Sequence, residues 1–261
     1  MHTENHVFIA ACVFTSKYPE LSLRIQTYLK EHYAIPSIRC CVPQYQLKKL
    51  EEAVPEPYRA QWRTLPDFQP FTPEHTMIYL CHNCRNIFLE QHPEVPAKSL
   101  WELLLEDEAF PFPDYHGETM AVQDCWRSND NRIEQDAVRA LLKKMNINVV
   151  ELPENHEKTD FCGYSLYQSQ PARNAKLAPH RYVELAKGKF EPHTEEEKKQ
   201  LMEAYCRTIP TDKVVAYCHY CVDGLKLGGK DGIHLAELLF GREQNQQSGI
   251  DVSDSLFSTP R

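Results

Sequence analysis

Met77-Ile-Tyr-Leu-Cys-His-Asn-Cys84 has a close counterpart later in the chain, Val214-Val-Ala-Tyr-Cys-His-Tyr-Cys221. Each stretch is a run of four apolar residues followed by Cys-His-x-Cys. The apolar run has the length and composition of a buried strand, so the cysteines fall where that strand ends. This pair of stretches decides the fold, because a sequence that recurs in this way indicates a repeated structural unit.

Three more pairs of segments recur in the same order on either side of this one. They are Val7–Cys12 with Met120–Cys125, Arg39–Val42 with Asp160–Gly163, and Ser99–Leu104 with His234–Leu239. Chance rarely produces four matched blocks in one order. We therefore divide the chain into a first module over residues 1–115, a second over residues 116–241, and a polar C-terminal tail over residues 242–261, which we expect to be loose or docked.

Strand-like and helix-like segments alternate within each copy. Apolar residues at helical spacing form one stripe in each copy, Leu21, Ile25, Tyr28 and Leu29 in the first, and Ile133, Ala137, Leu141 and Met145 in the second. Thr194 and Glu197 fit a capping box at the start of a further helix. This order predicts an α/β fold of two pseudo-repeated Rossmann-like modules, with short parallel sheets, helices on both faces and cysteines at the carboxyl ends of the strands.

The composition excludes several classes of function. Of 261 residues, 29 are Lys or Arg and 37 are Asp or Glu, which gives a net charge of −8 and argues against binding to nucleic acid or to anionic membranes. The apolar run Val7–Phe14 is too short to span a bilayer and lacks the features of a signal peptide. We therefore expect a cytoplasmic protein, in which clustered cysteines bind metal or do redox chemistry more often than they form disulfides.

Nine of the ten cysteines occupy repeated positions, and Cys206 is left over as a helix-core residue. The repeated ones are Cys12, Cys40, Cys41, Cys81 and Cys84 in the first copy and Cys125, Cys162, Cys218 and Cys221 in the second. Neighbouring strands lie about 4.8 Å apart, so three adjacent strand ends bring thiols within roughly 10 Å of one another. That span suits four or five sulfurs around one small inorganic centre.

These cysteine sets resemble the duplicated cysteine-rich (CCG) domain found in the B subunit of heterodisulfide reductase and related iron–sulfur oxidoreductase subunits. The resemblance covers roughly residues 7–241. It implies two [4Fe–4S]-type clusters, one held by each cysteine set, with a noncubane form in the first module. It also implies that electrons come from a flavin or ferredoxin-like partner and pass to a disulfide or other small acceptor.

Two departures from the family pattern keep other functions open. Val42 stands where the first copy would have the family glycine, and Phe161 replaces one cysteine of the second copy. Four thiols suit a cubane cluster or a tetrahedral zinc ion. The alternatives are therefore a zinc-binding structural or scaffold subunit, and a metal-free protein in which the Cys-x-x-Cys pairs cycle as disulfides.

Other side chains near the cysteines are weaker candidates. His82 and His219 lie inside the two Cys-x-x-Cys turns, where they would act as hydrogen-bond donors to sulfur or as proton donors to a leaving thiolate, or else face solvent. Arg85 and Arg127 are interpreted as surface residues. The glycines at 228–232 match no phosphate-binding motif and predict a turn.

Overall fold

The computed structural model describes residues 3–241, apart from the side chains of Cys12 and Leu47. Two four-stranded sheets, one in each half of the chain, form its framework. The first contains β1 (His6–Ile9), β2 (Ser37–Ile38), β3 (Thr76–Tyr79) and β4 (Ala97–Ser99), and the second contains β5 (Glu118–Gln123), β6 (Ile147–Glu151), β7 (Lys213–Ala216) and β8 (Asp231–His234).

Helices connect these strands in both halves. The first half has α1 (Cys12–Lys17), α2 (Pro19–Tyr33), α3 (Leu47–Ala53), α4 (Glu56–Thr64), α5 (His82–Gln91) and α6 (Leu100–Leu105). The second half has α7 (Arg132–Lys144), α8 (Ala172–Leu177), α9 (Glu195–Cys206), α10 (His219–Leu227) and α11 (Leu235–Phe240). Every helix among residues 3–241 is too short or too polar to cross a membrane.

Both sheets have the same strand order. The strands run β2-β1-β3-β4 in the first sheet and β6-β5-β7-β8 in the second, and every pairing is parallel. In the second sheet Gln123, the last residue of β5, is in register with Ala216, the last residue of β7. The duplicated α/β fold predicted from the repeats is confirmed, and the segments that follow β5 and β7 begin side by side.

The two long helices follow their strands as predicted, but one predicted stripe is partly wrong. Pro19 begins α2, whose Ile25 and Leu29 are buried. In α7, however, Ile133 is 70% exposed, while its neighbour Glu134 is fully buried. The first turn of α7 faces the other module, and there it places the Glu134 carboxylate beside His82 rather than an apolar side chain.

The remaining predictions about helices and loops have mixed outcomes. Thr194 and Glu197 form the predicted capping box at the start of α9, and Cys206 is buried at the end of that helix. The proline-rich stretch after residue 54 contains α4, and α3 comes directly before it. Gly229, with a φ of +85°, makes the predicted turn. The C-terminal tail lies outside the described residues.

Candidate metal centre

Four cysteine sulfurs of the second module lie together in the interior. The Sγ atoms of Cys125, Cys162, Cys218 and Cys221 all lie within 4.8 Å of one another, and the four residues are buried. The sulfur of Cys162 lies 3.4 Å from that of Cys125 and 3.9 Å from that of Cys218. These are the four second-module residues that the repeat singles out.

Strand ends and one helix start place three of these cysteines. Cys125 comes two residues after β5, and Cys218 comes two residues after β7, its neighbour in the sheet. Cys218 is the N-cap of α10, so Cys221 lies in the first turn of that helix on the same side. Parallel strands end at one edge of a sheet, which is why residues far apart in the chain meet here.

The fourth cysteine, Cys162, lies on a loop that a buried polar network attaches to the end of β5. The backbone N–H of Asp124 donates to Asn155 Oδ1 at 3.1 Å, and Asn155 Nδ2 donates to the carbonyl of Val122 at 2.9 Å. Thr159 donates to the carbonyl of Asp124, and Arg139 donates to both Asp124 carboxylate oxygens at 3.0 and 2.9 Å. These bonds hold the loop before Cys162 against the strand that carries Cys125.

Phe161 fills the position that holds a cysteine in the first copy. Its ring stacks on Tyr205 of α9, with the ring centres 4.3 Å apart and the planes 15° from parallel. Phe161 is buried, and its carbonyl faces the thiol of Cys221 at 4.0 Å. The aromatic pair therefore packs beside the thiols and contributes no ligand atom.

The four thiols divide into two that ionise readily and two that do not. Hydrogen bonds from Cys125, Cys162 and Cys221 hold the pKa of Cys218 well below its ordinary value. Burial alone would raise the pKa of Cys162, but contact with Cys125 and with the Arg127 guanidinium lowers it. Burial raises the pKa of Cys125 and Cys221 well above the ordinary value. A metal cation that displaces the thiol protons of Cys125 and Cys221 would offset the free-energy cost of ionising these two buried groups.

Two buried cationic groups lie beside the sulfurs. Arg127 is 3% exposed, and its Nη1 donates to Cys162 Sγ, so its interpretation as a surface residue is wrong. His82, which comes from the first module, lies with Nε2 3.4 Å from Glu134 Oε1. Burial would lower the pKa of His82, but Glu134 and then Cys218 raise it to about 10, so its ring is charged at neutral pH.

The cysteines of the first module are buried but less compact. Contacts join Cys40 to Cys41, Cys41 to Cys84, and Cys84 to Cys81, as a row. The hydrogen bond from Cys84 lowers the pKa of Cys81 to about 7, although burial opposes it. Among the described side chains, these four do not form a second group as tight as that of the other module. Cys12 begins α1, but its side chain is outside the described part of the chain.

The two cysteine sets lie near each other, and the two histidines of the repeat behave differently there. The Cys81 thiolate interacts electrostatically with Cys218 across the module boundary. His219 is buried beside the ring of Tyr220, and burial lowers its pKa to about 4. Near neutral pH we therefore expect His82 to be charged and His219 to be neutral. Both histidines are buried, so solvent-facing positions are excluded for them.

Sequence reasoning missed three polar residues that shape this centre. Arg127, Glu134 and Asp124 are all buried at the boundary or beside Cys125. One signal was present, because the second copy has Gln123-Asp124 before its cysteine where the first copy has Ala10-Ala11. Two consecutive polar residues at an otherwise apolar strand end indicate a buried polar network.

Comparisons with known proteins add little to this geometry. No family model matches the chain, and no curated protein does. Among solved structures, glutamate racemase isoform RacE1 from Bacillus anthracis is 12% identical, with 91% of this chain and 79% of that chain covered and a TM-score of 0.32. An aspartate racemase homologue from Pyrococcus horikoshii OT3 is 13% identical, with 90% and 94% covered and a TM-score of 0.27. Scores this low carry no argument about activity.

Proposed function

We propose that this chain is an iron–sulfur oxidoreductase subunit similar to the B subunit of heterodisulfide reductase. Its second-module centre would be held by Cys125, Cys162, Cys218 and Cys221. One observation carries the metal centre in this proposal, the convergence of these four buried sulfurs within 4.8 Å from separate parts of the chain. The iron–sulfur part of the proposal comes from the order of the cysteines along the chain, which resembles the CCG pattern apart from Val42 in the first module and Phe161 in the second.

The donor set fits a thiolate-bound metal. All four donors are sulfurs, the group is buried, and cationic side chains lie beside it. A cysteine set of this kind selects zinc or iron–sulfur centres rather than magnesium or calcium, which prefer oxygen. When bound, an iron–sulfur centre accepts and releases single electrons.

The protein's own residues would prepare that chemistry. The cysteines hold the centre, while Arg127 and His82 offset the negative charge that thiolates bring into the interior. Phe161 and Tyr205 keep water from one side of the sulfurs. In this proposal an electron-donating flavin or ferredoxin-like subunit supplies electrons, and a small disulfide receives them. The Cys81–Cys84 pair of the first module lies close enough to interact with Cys218.

A zinc-binding structural role is the second candidate, and the sulfur spacing favours it. A tetrahedral ion with bonds of about 2.3 Å sets its thiolates about 3.8 Å apart, close to the 3.4 and 3.9 Å found here. An iron–sulfur cluster places its own sulfides and several irons between the cysteines, which spreads the thiolates further. Loading a cluster therefore requires the four side chains to move apart.

Metal analysis of protein purified without oxygen separates the two candidates. We expect iron with acid-labile sulfide and a visible absorption band that Cys162→Ser removes from the second-module centre. Cys206→Ala is the matched control, because that buried thiol lies outside the group and packs against Gly228 instead. Stoichiometric zinc without iron would reject the electron-transfer function in favour of the zinc-binding role. Protein without bound metal would reject both.

A further inference from the structure

Arg127 is a buried cation directly attached to the cysteine group. It follows Cys125 by two residues, and its backbone N–H faces Cys125 Sγ at 3.4 Å. Its Nη1 donates to Cys162 Sγ and to Ser165 Oγ, the latter at 3.0 Å. One residue therefore contacts two of the four sulfurs, once through its backbone and once through its guanidinium.

The opposite side of Arg127 is attached to the first module. Its Nε donates to Asn83 Oδ1 at 2.9 Å, and its carbonyl accepts from Asn86 Nδ2 at 2.9 Å. Both asparagines belong to α5, the helix that Cys81 caps. The guanidinium also lies over the ring of Tyr220 at 4.9 Å. Arg127 thus bridges the helix that carries one cysteine set and the sulfurs of the other.

In the part of the chain that the structure describes, no carboxylate pairs with the charge of Arg127. Among residues 3–241 no acidic side chain forms an ion pair with Arg127, and its partners are sulfur, hydroxyl, amide and aromatic groups. Arg181, at the same module boundary and 5% exposed, has such a partner, Asp130 at 2.6 Å. A buried charge is costly unless an opposite charge lies beside it. The cysteine sulfurs are the group that can supply that charge to Arg127.

We propose that Arg127 is the dedicated counter-ion and positioning residue of an anionic metal–thiolate centre at Cys125, Cys162, Cys218 and Cys221. The inference rests on the proposed metal site. The guanidinium would stabilise the negative charge that four thiolates bring to a bound metal centre, and it would orient the Cys162 thiolate toward that centre. Its second attachment, to Asn83, fixes the guanidinium in place through the first module.

Cobalt binding tests this role without any measurement of activity. Metal-free, reduced protein is titrated with Co²⁺ in competition with a chelator, and the thiolate-to-cobalt absorption reports occupancy. Because losing a buried charged partner weakens a site strongly, we expect Arg127→Met to lower the Co²⁺ affinity of the second-module centre at least tenfold. Arg127→Lys keeps the charge but not the planar set of guanidinium donors. Its Co²⁺ affinity should therefore lie between that of the unmodified protein and that of Arg127→Met.

Arg181→Met is the matched control, because it removes another buried arginine of the same boundary without touching sulfur. Its Co²⁺ affinity should stay within about twofold of the unmodified protein, although Asp130 then keeps only its contact with Arg85 at 3.4 Å. Equal affinity in Arg127→Met and the unmodified protein would overturn the inference, as would equal losses in the two methionine variants. Should Arg127→Met not fold, unmodified affinity in Arg127→Lys would overturn it. Failure of the unmodified protein to bind Co²⁺ would instead remove the proposed metal site.

Discussion

His234 shows how the second module adapts a capping position to its buried surroundings. The Nδ1 atom of its ring accepts from the backbone N–H of Ala236 at 3.2 Å, and the backbone N–H of His234 donates to Glu237 Oε1 at 3.0 Å. The first module uses Ser99 and Glu102 for the same capping box. The imidazole packs against Phe14 and Tyr18 of the first module. Because its Nδ1 is an acceptor, the ring must be neutral in the folded protein.

Acidification should therefore destabilise the protein through His234. Burial, followed by the nearby His219, lowers the pKa of His234 to about 3, whereas an unfolded histidine titrates near 6.5. As the pH falls through 6.5, the unfolded state binds a proton that the folded state refuses, so stability is lost. Between pH 7 and pH 5 this residue should cost about 2 kcal/mol of unfolding free energy.

His234→Ser isolates this effect, since serine preserves the capping box in the form that Ser99 has in the first module. We expect urea denaturation of the metal-free, reduced protein to show a smaller loss from pH 7 to pH 5 in the variant than in the unmodified chain. His219 also has a lowered pKa and is present in both proteins, so part of the loss at low pH should remain in the variant. Equal losses in the two proteins would show that His234 accepts a proton when folded.

At the scale of elements, the contact between the Cys162 segment and α10 depends on glycine. Gly163 has a φ of +57°, and a Cβ at this position would lie 2.0 Å from the carbonyl oxygen of Tyr220 and 3.1 Å from the backbone nitrogen of Gly224. Gly163 is the second copy's counterpart of Val42 and matches the glycine of the family pattern. The structure shows that α10 is what it approaches, which brings Cys162 next to Cys218 and Cys221.

Gly163→Ala should therefore lower the free energy of unfolding more than an alanine substitution at a glycine where only the left-handed backbone conformation causes strain. Left-handed strain costs about 1–2 kcal/mol, and forcing extra atoms into a packed contact costs about 1–3 kcal/mol more. Gly229→Ala is the control, because its φ is +85° but no atom lies within 4 Å of the added Cβ. Urea denaturation should give the larger loss for Gly163→Ala, and a loss no greater than that of Gly229→Ala would argue against the close contact.

At the scale of the whole molecule, equivalent helices of the two modules pack against the opposite module. The short α6 after the last strand of the first sheet packs against α7, and its counterpart α11 packs against α2. The Tyr115 hydroxyl donates to the carbonyl of Leu238 at 3.0 Å, and Arg24 Nη1 donates to that of Phe240 at 2.9 Å. Together with the His82–Glu134 contact, these bonds join polar groups of one module to those of the other.

We therefore expect the two modules to unfold together. Trp62 and Trp101 report on the first module and Trp126 on the second, and all three are buried. In Trp126→Phe, fluorescence follows the first module, and in the Trp62→Phe/Trp101→Phe double variant it follows the second. In each variant the urea midpoint from fluorescence should coincide with that from far-ultraviolet circular dichroism. Separate midpoints would show that the modules unfold independently.

Much of this architecture follows from local patterns. Apolar runs that end in cysteine predict the strands that precede Cys81, Cys125 and Cys218, and the repeats predict two sheets of one kind. The stripe in α7 was less predictable. Ile133 looks like a core residue by spacing, yet the first turn of the helix meets His82 of the other module, and Glu134 is buried there instead. Helical spacing predicts which residues share a face of the helix, but it does not predict which residues of the other module pack against that face.

Local patterns in the amino-acid sequence are enough to predict the duplication, the parallel α/β order and the four cysteines that meet in the second module, because strand periodicity and matched motifs are local properties of the chain. The compactness of the second set relative to the first, and the placement of Arg127 and His82 beside it, come from tertiary packing. The physical reason is that burial and electrostatic pairing depend on what lies across a boundary. That boundary forms when the two modules pack together, between residues that are far apart in the chain.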